Sequence, residues 1–172
     1  MKKLLPNSPL IFVMPLVIVG TVHNGKYNFA PNGQCGQVNY ENAVICISVA
    51  KSSQTWANIT QTRSFSLNVP KSGLLDKIRH AGSLSGADCD KSNLFDVSES
   101  KNGLPLIESC SLSMACDLVN TVEFDKFQVF FGKITECYAE DDCFENGDLS
   151  AEKINPLLCS LDGKYWNITE PK

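Results

Sequence analysis

Pro15-Leu16-Val17-Ile18-Val19-Gly20-Thr21-Val22-His23-Asn24-Gly25-Lys26-Tyr27-Asn28-Phe29-Ala30-Pro31 is the stretch that decides the fold. The run Leu10–Val22 is apolar, rich in β-branched residues and bounded by turn residues, so it predicts a buried strand. Asn24-Gly25 between two strand-like runs is the strongest short hairpin signal. Tyr27–Pro31 is then the returning strand, and Asn32-Gly33-Gln34-Cys35-Gly36, with two glycines, reads as a loop.

Outward from this hairpin the same alternation recurs. Ala43–Ala50 predicts a second buried strand, and Ser52 or Ser53 can cap a helix running through Trp56, Ile59 and Thr60. Arg63–Val69 predicts a strand with Phe65, Leu67 and Val69 on one face, ended by Pro70. Leu74–Ala81 reads as a short helix, and Gly82–Gly103 as a long polar loop interrupted by Asn93-Leu94-Phe95. Leu112–Val122 and Phe127–Tyr138 predict two long strands, Glu140–Gly147 an acidic turn, and Leu157–Ile168 a last strand turning at Asp162-Gly163. The sum is about seven strands with a few short helices, which predicts a mostly-β barrel with helices at its periphery. With 172 residues, no internal repeat and no linker, the chain is expected to be one domain spanning residues 1–172.

Composition excludes several classes of function. Lys and Arg number 15, Asp and Glu 19, giving a net charge of −4. With no basic cluster, neither nucleic acid nor an anionic membrane is an expected partner. No apolar run reaches the length of a membrane span. The eight cysteines contain no C-x-x-C pair, and His23 and His80 stand alone, so no zinc site is expected. Cysteines inside apolar runs, such as Cys46, behave as small hydrophobes, and free, mostly buried thiols are expected. Lys2 and Lys3 before an apolar stretch, with sequons at Asn58 and Asn167, would suit a secreted glycoprotein. Against this, Pro6, Pro9 and Pro15 break any helix there, and no A-x-A-like cleavage site follows.

Catalytic motifs are absent: there is no G-x-G-x-x-G, Walker loop, G-x-S-x-G or H-E-x-x-H. One segment does carry a signal. The strand end Ser48-Val49-Ala50-Lys51 feeds Ser52-Ser53-Gln54-Thr55 at a helix start. Free backbone N–H groups and the helix dipole favour an anion there, and hydroxyls and Lys51 add donors and charge. An ordinary capped helix is the alternative.

The chain resembles the flavin reductase-like, FMN-binding split-barrel family. The resemblance is carried by the strand Pro15–Thr21, by Asn28-Phe29-Ala30-Pro31, and by Ser48–Thr55 with Asn58-Ile59. It continues through Phe65–Pro70, the loop Ser85-Gly86-Ala87-Asp88-Cys89-Asp90-Lys91, Glu108-Ser109-Cys110, Cys116-Asp117-Leu118, Phe131-Gly132-Lys133-Ile134 and Gly163-Lys164-Tyr165-Trp166. It implies a split β-barrel, a cytoplasmic homodimer and FMN, in some relatives FAD, bound in a groove at the dimer interface. It places the flavin ring against Asn32, Gly33, Gln34 and Cys35, bordered by Ser48, Val49, Ala50 and Lys51. It places the phosphate at Ser52 and Thr55, with the Ser85, Gly86 to Lys91 loop closing over the cofactor. It implies electron transfer between NAD(P)H, FMN and an unidentified acceptor, or a non-enzymatic FMN electron carrier. The flavin performs the hydride chemistry, which accounts for the missing acid–base pair. Ala87 stands where relatives carry a basic residue and Ser92 where they carry phenylalanine, so the loop's apolar anchor is expected to move to Leu94 or Phe95.

Overall fold

The computed structural model describes residues 2–9 and 11–168. Leu10, where the sequence reading opens its first strand, and Thr169, the last residue of the second sequon, lie outside the described residues. The apolar run beyond Leu10 is two strands rather than one: β1 (Val13–Pro15) and β2 (Val17–His23). Proline cannot donate to a ladder, so the run breaks there, and Leu16 N–H donates instead to Leu157 O at 3.0 Å. Asn24 and Gly25, with φ of 51° and 72°, turn β2 into β3 (Lys26–Asn32), as a two-residue hairpin requires.

The expected loop at residues 32–36 is corrected by the structure. Only Gly33 and Gln34 separate β3 from β4 (Cys35–Asn39), because Cys35 and Gly36 pair with Ile47 and Cys46 of β5 (Val44–Ala50). There follow α1 (Gln54–Thr62), β6 (Ser64–Pro70), a 3₁₀ turn at Ser72–Leu74 and α2 (Leu75–Ser83). The polar stretch after α2 contains β7 (Val97–Glu99), which pairs with β8 (Pro105–Ile107). The long hairpin is β9 (Cys110–Glu123) and β10 (Phe127–Ala139). The acidic turn holds a small hairpin, β11 (Phe144–Glu145) and β12 (Asp148–Leu149), followed by α3 (Ala151–Ile154). The expected last strand is a hairpin, β13 (Leu158–Ser160) with β14 (Tyr165–Trp166), and β13 also pairs with β1.

Seven strands form one antiparallel sheet in the order β3-β2-β6-β9-β10-β5-β4. Laid flat, its outer strands would stand about 29 Å apart. The three residue steps from Asn32 to Cys35 span at most about 11 Å. The sheet must therefore curl until its edges meet. No ladder joins β3 to β4; side-chain and loop bonds close the corner instead. Asn32 Nδ2 donates to Ser48 O at 2.9 Å, and Ser48 N–H donates to Gln34 O at 2.9 Å. The result is a mostly-β split barrel with a few short helices outside it.

Side chains from five strands fill the barrel: Val17, Val19, Ile47, Phe65, Leu67, Cys116 and Phe130 among them, joined by Ile59 of α1. Gly132 permits this density, since a Cβ there would lie 2.6 Å from Phe65 Cζ. A second core lies on the outer face, where Leu16, Ile18, Phe29 and Ile107 meet Ile78 and Ala81 of α2. Alternate residues of the β2 segment thus enter opposite cores, which is why it reads as an unbroken apolar run. Asn68, fully buried, docks β8: its Oδ1 accepts from Ile107 N–H at 2.8 Å and from Ser113 Oγ at 2.7 Å. No helix among the described residues is long and apolar enough to cross a membrane.

All eight cysteines are free. Only Cys110, Cys116 and Cys143 are buried, which corrects the expectation that most would be; Cys137 is exposed and the others are partly covered. Phe95 is the anchor of the long loop. Its ring meets Phe29 edge-on at 5.1 Å between centroids, inside the second core. Phe95→Ala should cost about 3–5 kcal/mol of stability, read from the urea midpoint; a change within error would mean that the loop is anchored elsewhere.

Candidate functional site

The barrel corner and the α1 N-terminus face the same groove. Asn32, Gly33 and Gln34 from the corner, Ser48, Val49 and Ala50 from β5, and Thr55 from α1 line a cavity of about 400 Å³. The corner is rigid: Asn32 Oδ1 accepts from Gln34 N–H at 2.7 Å while its Nδ2 holds Ser48 O. Glycine at position 33 lets the thiol approach: a Cβ would fall 2.6 Å from Cys159 Sγ, which would have to turn away. No Asp, Glu, His, Lys or Arg is among the described residues lining this groove.

A second cavity of about 320 Å³ shares Ala30, Pro31, Ser53 and Thr55 with the first, so one trough runs past Thr55. It adds Ser85, Gly86 and Lys91 from the loop after α2. Ser53, not Ser52, is the helix cap: its Oγ accepts from Trp56 N–H at 3.2 Å and donates to Ala50 O at 2.8 Å. The N–H groups of Gln54 and Thr55 have no acceptor among the described residues. Together with the dipole of a nine-residue helix they leave positive potential in the trough.

Thr55 is aimed by a chain of buried amides. Gln54 Nε2 donates to Asn58 Oδ1 at 2.6 Å, and Asn58 Nδ2 donates to Thr21 Oγ1 at 2.9 Å. Asn28 Nδ2 donates to Thr55 Oγ1 at 2.9 Å and, at 3.4 Å, to Thr21 Oγ1. With its oxygen already accepting from Asn28, the Thr55 hydroxyl has its own hydrogen left to donate, and Thr55 lines both cavities. Lys91 is only 4% exposed; its ammonium donates to Phe29 O at 3.0 Å and Ala81 O at 2.9 Å. Burial holds its pKa below the usual lysine value, and no carboxylate pairs with it among the described residues. A nearby anion would offset that desolvation.

Three expected residues lie elsewhere. Lys51 pairs with Glu123 at 3.2 Å, Ser52 is exposed, and neither lines the trough. Cys35 lines an adjoining, largely apolar cavity that meets the first at Met14, Gly33, Gln34 and Ser48. Ser53 and Gln54 belong to the helix start the sequence points to, whereas Asn28 and Cys159 are trough residues it does not assign to the site. The signal for Asn28 was present as a polar residue inside a strand-like run. Cys159 had none, since it reaches the corner from a strand over a hundred residues away. Away from the trough, Glu140, Asp142 and Cys143 gather in the acidic turn. The Lys71 ammonium already sits against this group, bonded to Glu140 and 3.6 Å from Asp142.

Comparison with known proteins gives a consistent picture. The family model of the flavin reductase like domain matches residues 10–166. An uncharacterised protein of Methanothermobacter thermautotrophicus is 31% identical over 156 residues, covering 84% of this chain and 73% of that protein. Flavoredoxin from Methanosarcina acetivorans superposes with a TM-score of 0.94 at 32% identity, covering 100% of this chain and 94% of its own. Flavoredoxin of Desulfovibrio vulgaris (Miyazaki F) has the same fold, with a TM-score of 0.91 at 22% identity over 100% and 96% of the two chains.

The thiol beside the trough is held neutral. Burial, reinforced by Cys46 and Cys159 nearby, pushes the Cys35 pKa up to about 11 from 9.0. A folded pKa above the unfolded one leaves less thiolate in the native protein at any pH below both. At pH 8 Cys35 should therefore react with iodoacetamide roughly 100-fold more slowly in the folded than in the urea-unfolded protein, judged by thiolate fraction. The native rate should climb toward pH 11. Equal rates in the two states would show that the thiol is not shielded.

Proposed function

Because the chain belongs to the flavin reductase-like domain family, we propose that it is a flavin-dependent oxidoreductase that holds FMN along the trough, with residues 1–172 forming one flavin-binding domain. In this reading the ring lies against Asn32, Gly33 and Gln34, with Ser48, Val49 and Ala50 beneath it. The phosphate sits between Thr55, Ser85 and Gly86, above Lys91. Lys51, Ser52 and Cys35 carry no contact to the cofactor. FMN, when bound, supplies the uptake and release of a hydride equivalent. The chain's own residues bind and orient it: the corner amides fix one edge of the groove, and the Thr55 hydroxyl and α1 N–H groups hold the anionic end.

The observation that carries this reading is Thr55, a buried hydroxyl whose proton has no acceptor among the described residues, in the same cavity as a buried lysine with no acidic partner among them. Phe127 lines the ring groove and is 40% exposed, and Phe124 on the same hairpin is 59% exposed. A second copy of the chain would cover both, which supports a homodimer. The proposed donor is NAD(P)H, the acceptor is unidentified and the compartment is the cytoplasm. That no cation among the described residues lines the groove to meet a nicotinamide dinucleotide's diphosphate favours one second reading, an FMN electron carrier reduced by another protein.

Steady oxidation of NADH or NADPH with FMN present is the expected result, followed at 340 nm. FMN retained without any turnover would favour the carrier. Thr55→Val should weaken FMN binding roughly 10–100-fold, the worth of a hydrogen bond to a charged group. Riboflavin, which has no phosphate, should bind both proteins alike. An equal loss for riboflavin would place Thr55 at the ring rather than at the phosphate.

A further inference from the structure

The trough ends at a partition. Its inner cavity, with Thr55 and Ser85, shares Asn28, Gln54, Gly86 and Lys91 with an outer cavity of about 420 Å³. That outer chamber is polar, bounded by His23, Lys26 and Tyr27 on one side and Ala87 to Asp90 on the other. Gly86 stands in the partition with no room to spare. A Cβ on it would lie 2.1 Å from Asn28 Oδ1 and 3.1 Å from Gln54 Cβ. Its φ is not in the left-handed region, so closeness, not backbone conformation, demands glycine here.

The partition is braced on both faces. Asn28 is tied to Thr21 and Thr55, and Gln54 to Asn58. The loop is staked to β3 by Lys26–Asp90 at 3.2 Å, by Tyr27 N–H donating to Ser92 Oγ at 2.9 Å, and by Lys91 on two backbone carbonyls. The Ser92 hydroxyl, the Ser92 N–H donating to Asp90 Oδ1 at 2.9 Å, and Lys26 together hold the Asp90 carboxyl down at about 2. The stake therefore persists through neutral pH.

We propose that the Gly86–Asn28 contact is a stop that ends the trough at the phosphate. The site then takes a flavin ending in a phosphomonoester and discriminates against a flavin dinucleotide, whose diphosphate must continue into the outer chamber. This rests on the flavin reading of the trough. A methyl group at position 86 must drive the loop and the Asn28 amide apart, which breaches the partition between the two cavities. Removing the amide at position 28 opens the same partition from the other side.

The test is the affinity of the purified protein and of Gly86→Ala and Asn28→Ser for FMN, FAD and riboflavin, by quenching of flavin fluorescence, with thermal melts to check folding. The unaltered protein should bind FMN at least about tenfold more tightly than FAD. In either variant the FMN-to-FAD preference should fall at least about fivefold, the riboflavin constant changing less than the FMN constant. Equal affinity of the unaltered protein for FMN and FAD overturns the stop, as does an unchanged preference in whichever variants fold. If neither variant folds, the preference of the unaltered protein decides. Binding of none of the three flavins would overturn the flavin reading itself, and the stop with it.

Discussion

Gly33 and Gln34 are all that lies between one edge of a seven-stranded sheet and the other. A link that short cannot cross a flat sheet, so the sheet has to close on itself. Closure turns alternate residues of five strands inward and gives the chain its first core. It also brings the corner against the end of β5, from which α1 departs. The groove is therefore a by-product of closure rather than a separate construction. Asn32 uses both ends of its amide to hold the corner, so no ladder between β3 and β4 is needed.

A sheet curled this tightly leaves buried polar groups to satisfy. Thr21, Asn28, Thr55 and Asn58 are all at most 5% exposed, and each would be costly without partners. They satisfy one another in a directed chain, and the direction matters. Because the amides donate inward, the last hydroxyl has a proton to offer the trough. Lys91 follows similar logic. Its ammonium is satisfied by carbonyls, and no carboxylate among the described residues cancels its charge. The atoms that satisfy the buried core are the same ones that the proposed anion site would use.

The sequence carried the barrel well where periodicity was strong. The hairpin at Asn24-Gly25, the inward face of Phe65, Leu67 and Val69, and the long β9–β10 pair were all legible. It misled at residues 32–36, where two glycines mimic a loop but cross-strand pairing wins. It missed β7 and β8 because three-residue strands have no periodicity to detect, and Asn68 supplies from afar what pairs them to the core. Of the candidate site, the helix start was legible and the cap was narrowed to two serines. Lys51 suggested charge from adjacency in sequence, whereas its side chain turns to Glu123. Asn28 and Cys159 reach the trough through tertiary pairing that no local pattern encodes.

If the barrel corner at Asn32–Cys35 and the α1 N-terminus together form one flavin trough, the purified protein holds FMN. The most direct test is the visible absorption spectrum of the purified protein after incubation with FMN and desalting. A retained flavin spectrum, altered in shape from that of free FMN, is the expected result. Flavin that passes entirely through the desalting column with an unperturbed spectrum, from protein shown to be folded, would contradict it.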